Sequence, residues 1–105
     1  MVVTSSKRYL VSAKYCLEIE TEVDGIKFEN DYSTDSVEEA YKQAKEWSTP
    51  HTSLFISRTI YFKKQDNSLA DNKPIIESLT LRQLEKFVLD GENLPEKTYQ
   101  AVAHF

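Results

Sequence analysis

Carboxylates are the residues of this chain whose number and spacing first suggest chemistry. Residues 17–39 hold nine (Glu18, Glu20, Glu22, Asp24, Glu29, Asp31, Asp35, Glu38, Glu39) against one cation, Lys27, a net −8 within a chain whose formal charge is −4. Clustered carboxylates can bind a hard cation, work as a general acid and base, or present a negative surface. Glu20, Glu22, Asp24, Gly25, Glu29 and Asp31 fall at positions 1, 3, 5, 6, 10 and 12 of an EF-hand-like loop, with Phe28 at position 9. The position-1 residue is Glu where Asp is needed, and the position-12 residue is Asp where a bidentate Glu is needed. Lys27 takes an apolar position, and the flanks alternate like strands instead of helices. No metal or cofactor is therefore expected. Acid–base work needs a carboxyl tuned by burial, whereas this alternation puts the carboxylates on an open strand face. What remains is a negative surface for a cationic partner.

Nucleophilic chemistry has little support. Cys16 is the single cysteine, and nearby Glu18 and Glu20 work against its activation as a nucleophile by Lys14. His51 and His104 lie far apart in sequence, and one Cys with two His does not make a four-ligand zinc site. Only two glycines occur, Gly25 and Gly91, which excludes the familiar phosphate-cradling loops. No catalytic residue is assigned, and the chain is expected not to be an enzyme. A second binding chemistry is written in Phe55, Arg58, Tyr61, Lys63 and Lys64, where aromatics that stack on bases alternate with cations that hold phosphates. It lacks the glycine–aromatic signature of an RNA-recognition strand. A helix-turn-helix over residues 80–103 would offer DNA only Glu96, Lys97, Gln100 and His104, a poor phosphate-binding set.

These side chains need elements to hold them. Tyr9, Val11, Ala13, Tyr15, Leu17, Ile19 and Val23 alternate with polar residues, the period of a strand buried on one face. Asp24-Gly25 is a preferred two-residue hairpin turn, followed by alternating Ile26, Phe28 and Tyr32. The turn sets a register that places Glu22 opposite Lys27, Glu20 opposite Glu29 and Glu18 opposite Asp31. Like charges directly opposed cost up to about 1 kcal/mol each. Ser36-Val37-Glu38-Glu39 reads as a capping box; Val37, Ala40, Tyr41, Ala44 and Trp47 then form a helical stripe that ends before Pro50. Residues 52–64 read as a third strand with aromatics on both faces, and Arg58 in its apolar row calls for a strand end or a carboxylate at the core edge. Residues 65–74 form a polar loop, and Pro74-Ile75-Ile76 opens a short fourth strand. A second capping box begins at Thr80, with Gly91 closing that helix. A last helix over residues 95–103 is expected, with Phe105 tucked against the core.

Length and composition allow one domain: residues 1–7 a flexible N-terminus, residues 8–105 a single unit. The fold class is α+β: a β-hairpin with a helix across it, a third and fourth strand, and a C-terminal helical pair. Its order resembles a β-grasp layout, in order alone. Negative net charge weighs against binding to anionic membrane or non-specific binding to nucleic acid. Without a signal segment, and with a lone cysteine, the cytoplasm is the expected compartment. The expected function is that of a small non-enzymatic binding or regulatory protein. Its acidic face (Glu18, Glu20, Glu22, Glu29, Asp31, Asp35, Glu38, Glu39) would meet a protein partner with a basic surface, as in an inhibitor that mimics nucleic-acid charge. The alternative is a module for RNA or single-stranded nucleic acid. A homodimer through an exposed edge of the first strand is a further expectation.

Overall fold

The alternation that begins at Tyr9 is realised as one long strand. The computed structural model describes residues 1–65 and 73–104, the last two by their backbone alone. In chain order the elements are β1 (Val2–Arg8), β2 (Leu10–Val23), β3 (Ile26–Thr34), α1 (Val37–Trp47), β4 (Thr52–Lys63), β5 (Ile75–Leu79), α2 (Leu81–Asp90) and β6 (Thr98–His104). Asp24 and Gly25 both take positive φ, 53° and 81°, as a type I′ turn demands of its two central residues. The resulting register pairs Glu22 with Lys27, Glu20 with Glu29 and Glu18 with Asp31, as the turn residues predict.

Four strands form an antiparallel sheet in the order β3-β2-β4-β5, and β1 pairs with β6 in a separate two-stranded ribbon. The class is α+β. Likeness to a β-grasp stops at the hairpin-then-helix order, and every pairing within the four-stranded sheet is antiparallel. Odd-numbered residues of β2 face the helices: Tyr15 and Leu17 are fully buried, with Ile56 and Ile60 of β4, Val37, Ala40 and Ala44 of α1, and Leu84 of α2. Burying one such aliphatic side chain stabilises the fold by about 1.5–3 kcal/mol. Tyr41 and Trp47 complete the α1 stripe at the core margin, and Trp47 meets Tyr32 edge-on at 6.3 Å between centroids.

Both helices start where their caps predict. Thr80 and Gln83 form the full reciprocal box, and the Gly91 N–H donates to the Phe87 carbonyl. At α1 the box is shared with a third residue. The Glu39 N–H donates to Ser36 Oγ at 3.3 Å, but the Ser36 N–H goes to Thr34 Oγ1, whose hydroxyl donates to Glu39 Oε2 at 2.8 Å.

Three expectations are corrected. Residues 2–8 are strand, not a frayed tail, because β6 supplies their partner from Val2 opposite His104 to Arg8 opposite Thr98. The same pairing makes residues 98–104 a strand where a last helix was expected, so no C-terminal helical pair forms. The first long strand is also not an edge over residues 15–21, where β3 and β4 flank it on both sides; over residues 10–14 it pairs with β4 alone among the described residues. Segment 66–72 of the expected polar loop, and Phe105, lie outside the described residues.

Candidate functional site: the open face of the sheet

Helices cover one side of the four-stranded sheet; the even-numbered side chains of β2 emerge on the other. Strand pairing places neighbours there in rows. Asp31, Glu18 and Phe55 form one row, Glu29, Glu20 and Ser53 the next, and Lys27 with Glu22 ends the hairpin. Toward the other end come Ser33, Cys16 and Ser57, then Lys14 and Thr59, Ser12 and Tyr61, and Leu10 with Lys63. Apart from Lys27, carboxylates and cations are thus segregated along one continuous face.

Five of the eight predicted carboxylates (Glu18, Glu20, Glu22, Glu29, Asp31) share the hairpin half of this face. Lys27 stands directly opposite Glu22 but reaches diagonally to Glu20 at 3.2 Å, which eases the Glu20–Glu29 repulsion. Glu18, Glu20, Glu29, Asp31 and Phe55 ring a shallow depression of about 470 Å³ together with Ile19 and Asn30. Phe55 is 61% exposed there, a large apolar area left bare among carboxylates.

The remaining three carboxylates sit elsewhere. Glu38 and Glu39 are exposed in the first turn of α1, where Glu38 accepts from Ser36 Oγ at 3.2 Å and both favour the positive helix end. Asp35 lines a separate depression with Lys14, Tyr61 and Glu92. Their acidity is partly accounted for by helix capping.

The aromatic–cation set of the third strand is divided by the fold. Phe55, Tyr61 and Lys63 are exposed on the open face, but Phe55 belongs to the acidic half. Lys64 is half-buried, with its ammonium 5.5 Å from the Tyr99 ring centroid. Arg58 must be withdrawn as a nucleic-acid contact, since it points to the helix side and is buried. Its guanidinium donates to Glu77 Oε2 through Nε (3.1 Å) and Nη2 (2.7 Å) and to the Glu92 carbonyl through Nη1 (2.6 Å), and it lies 4.5 Å from the Phe87 ring centroid. Burial pushes its pKa down, but the bonds and charge of Glu77, with the phenol oxygen of Tyr15 close by, outweigh this and hold it above the ordinary range. This is the core-edge ion pair the sequence calls for, with the carboxylate supplied from directly across the β4–β5 pairing.

Tyr15 lies across from Arg58 on β2. Its hydroxyl is the single buried side-chain polar atom without a hydrogen bond among the described residues. Burial raises the phenol pKa, Arg58 opposes that rise, and the Glu92 carboxylate adds to it. The cluster lies on the helix side of the sheet, away from the open face, and Arg58 and Glu77 line a depression there with Gln83, Lys86 and Phe87 of α2.

Cys16 is half-buried between Ser33 and Ser57 in the middle row, and His51 is exposed in the turn before β4. Among the described residues, no group of three or more His, Cys, Asp and Glu is arranged to hold a metal ion. The EF-hand-like spacing is spent on two strands and a tight turn. Among those residues, no helix is long and apolar enough to cross a membrane. Sequence reasoning misses that Phe55 joins the acidic half: a helix separates β3 from β4, so no tight turn fixes the β2–β4 register. Comparison with protein-family models, with curated proteins and with solved structures finds no match to this chain.

Proposed function

We propose that this chain is a non-enzymatic binding protein that docks a basic protein surface on the acidic half of its open sheet face. The observation that carries this reading is the grouping of Glu18, Glu20, Glu22, Glu29 and Asp31 around exposed Phe55 on a face that no helix covers. Two like-charge pairs, Glu20–Glu29 and Glu18–Asp31, stand side by side at a cost of up to about 1 kcal/mol each. A cationic partner turns that cost into attraction, and an incoming Arg or Lys finds both a carboxylate pair and an aromatic face on which to lie.

Charge mimicry of a nucleic acid fits one strand better than a duplex. Along residues 18–22 of β2, about 13 Å at 3.3 Å per residue, the face carries five carboxylates and one Lys. That is one net charge per about 3 Å, near the 3.4 Å spacing of a single strand and half the density of both strands together. A protein whose own ligand is single-stranded nucleic acid is thus a suitable target.

The nucleic-acid module remains the second reading, carried by exposed Tyr61 and Lys63 with Lys14 in the adjoining row. Removing Arg58 and assigning Phe55 to the acidic half leaves this set without a continuous cationic track.

Capture by the tagged chain from lysate of its source organism, washed at low and high salt with and without nuclease, separates the two. The acidic-face reading expects a protein that survives nuclease and leaves at high salt. Recovery of RNA or DNA, or loss of every partner after nuclease, would transfer the function to Tyr61, Lys63 and Lys14.

A further inference from the structure

The molecule is a long charge dipole. Residues 1–9 and 97–104, which make the β1–β6 ribbon and its base, contain Lys7, Arg8 and Lys97 and no carboxylate. Residues 17–34 contain six carboxylates and one Lys. β1 and β2 run in series, and their 7 and 14 residues cover about 70 Å at 3.3 Å each. The longest dimension of the chain is 71 Å, so the cationic ribbon and the acidic hairpin tip stand at opposite ends.

The ribbon is well held only at its base. Tyr9 stacks on Tyr99 with centroids 4.7 Å apart, the Tyr9 N–H donates to the Lys97 carbonyl at 2.8 Å, and Gln65 bonds both the Tyr99 hydroxyl and the Arg8 carbonyl. Beyond it, all seven residues of β1 are exposed. A two-stranded pair with no further layer is marginal in water. Its two strands, residues 2–8 and 98–104, are also far apart in sequence, which adds loop entropy to their pairing. Val2, Val3 and Val102 are bare on the ribbon, as are Val23, Ile26 and Phe28 on the hairpin tip. Arg8 has a loose, exposed ion pair with Glu96 at 3.8 Å, a contact worth little and readily exchanged.

We infer that two copies of this chain associate antiparallel about a two-fold axis, the cationic ribbon of each lying against the acidic hairpin of the other. Every copy has one end of each kind, so antiparallel alignment satisfies both ends at once and closes the assembly at two. Lys7 and Arg8 then meet the carboxylates of β2 and β3, and the aliphatic side chains of ribbon and hairpin tip cover each other. The pairing uses the same carboxylates as the partner reading above, so a second copy and a basic partner compete for them, and the mass of the purified chain alone tests the pairing.

Molar mass by light scattering on the full chain, at tens of micromolar and at low and high salt, tests it. The expected result is twice the chain mass at low salt, falling toward the monomer at high salt. Reversal of the ribbon (Lys7→Glu with Arg8→Glu) yields a monomer, and so does reversal of the hairpin (Glu20→Lys with Glu29→Lys). All four changes in one chain, which restore the parent's net charge, restore the dimer. All sites are exposed, and circular dichroism of each variant verifies that the fold is kept. A parent chain that is monomeric at low salt would overturn the inference. So would a dimer that neither reversal disturbs, a four-fold variant that stays monomeric, or a ladder of larger masses from head-to-tail growth.

Discussion

The two faces of the four-stranded sheet are built from the same strands, and alternate residues serve opposite ends. On the covered side, Tyr15, Leu17, Ile56 and Ile60 are packed under α1 and α2, and Arg58, the one buried charge among the described residues, has its guanidinium bonded to Glu77 and a backbone carbonyl. On the open side, Glu18 faces Asp31, Glu20 faces Glu29, and Phe55 lies bare among them. One face pairs its buried charge and leaves the Tyr15 hydroxyl as its one unbonded buried group among the described residues; the other concentrates groups that repel. The difference teaches that the sheet has a side selected for stability and a side that is not optimised for it, and the second is where a binding role is sought.

Substitutions on the covered side should cost most. Leu17→Ala, which empties a fully buried site among both helices, is expected to destabilise by about 3 kcal/mol in denaturant unfolding. Arg58→Ala should cost about 2–3 kcal/mol, less than a wholly buried pair, because the Glu77 side chain is 39% exposed and can turn to water. A loss under half of either figure would mean that the covered side is not the stable one.

A change on the open side should act with the opposite sign. Glu29→Lys replaces a like-charge pair by an attractive one and should raise stability by about 0.5 kcal/mol at low salt, fading as salt screens it. Unfolding midpoints at two ionic strengths measure this. A loss of stability would show that the open carboxylates are structural after all.

The smallest effect sharpens the covered side. Tyr15→Phe removes a buried hydroxyl that makes no hydrogen bond, so stability near neutral pH should change by less than about 1 kcal/mol. The pH dependence carries the signature. The phenol pKa is raised by folding, so its contribution is fully present below the unfolded value near pH 10 and is lost as pH rises through the folded one. Alkaline unfolding should be delayed in Tyr15→Phe.

Much of this architecture is legible in the residues, and what is hidden has a physical reason. The β2–β3 register follows from Asp24-Gly25 and period-two alternation, and the helix starts follow from Ser36 and Thr80, because all of these are local interactions. β1 and β6 are not legible: each is defined by a partner at the far end of the chain, and Tyr99 with Val102 fits a helical spacing as well as a strand. Arg58 announces an ion pair, but Glu77 is identified only by the β4–β5 pairing. Lys27 was expected opposite Glu22 and is; that its ammonium prefers Glu20 depends on a rotamer. In the candidate site, the carboxylate face is written in the sequence, while Phe55 enters it through a register that no turn specifies.

The most direct test of the central claim is one variant read in two ways. Glu18, Glu20, Glu29 and Asp31 are changed together to Lys, and retention of the captured protein partner is compared with the parent's alongside the free energy of unfolding. A contact surface predicts that retention is lost while the variant stays folded, its reversed pairs still repelling as the parent's do, with faster loss of the parent's partner as salt is raised. Full retention by the folded variant would contradict the account and leave the acidic face as a solvated surface.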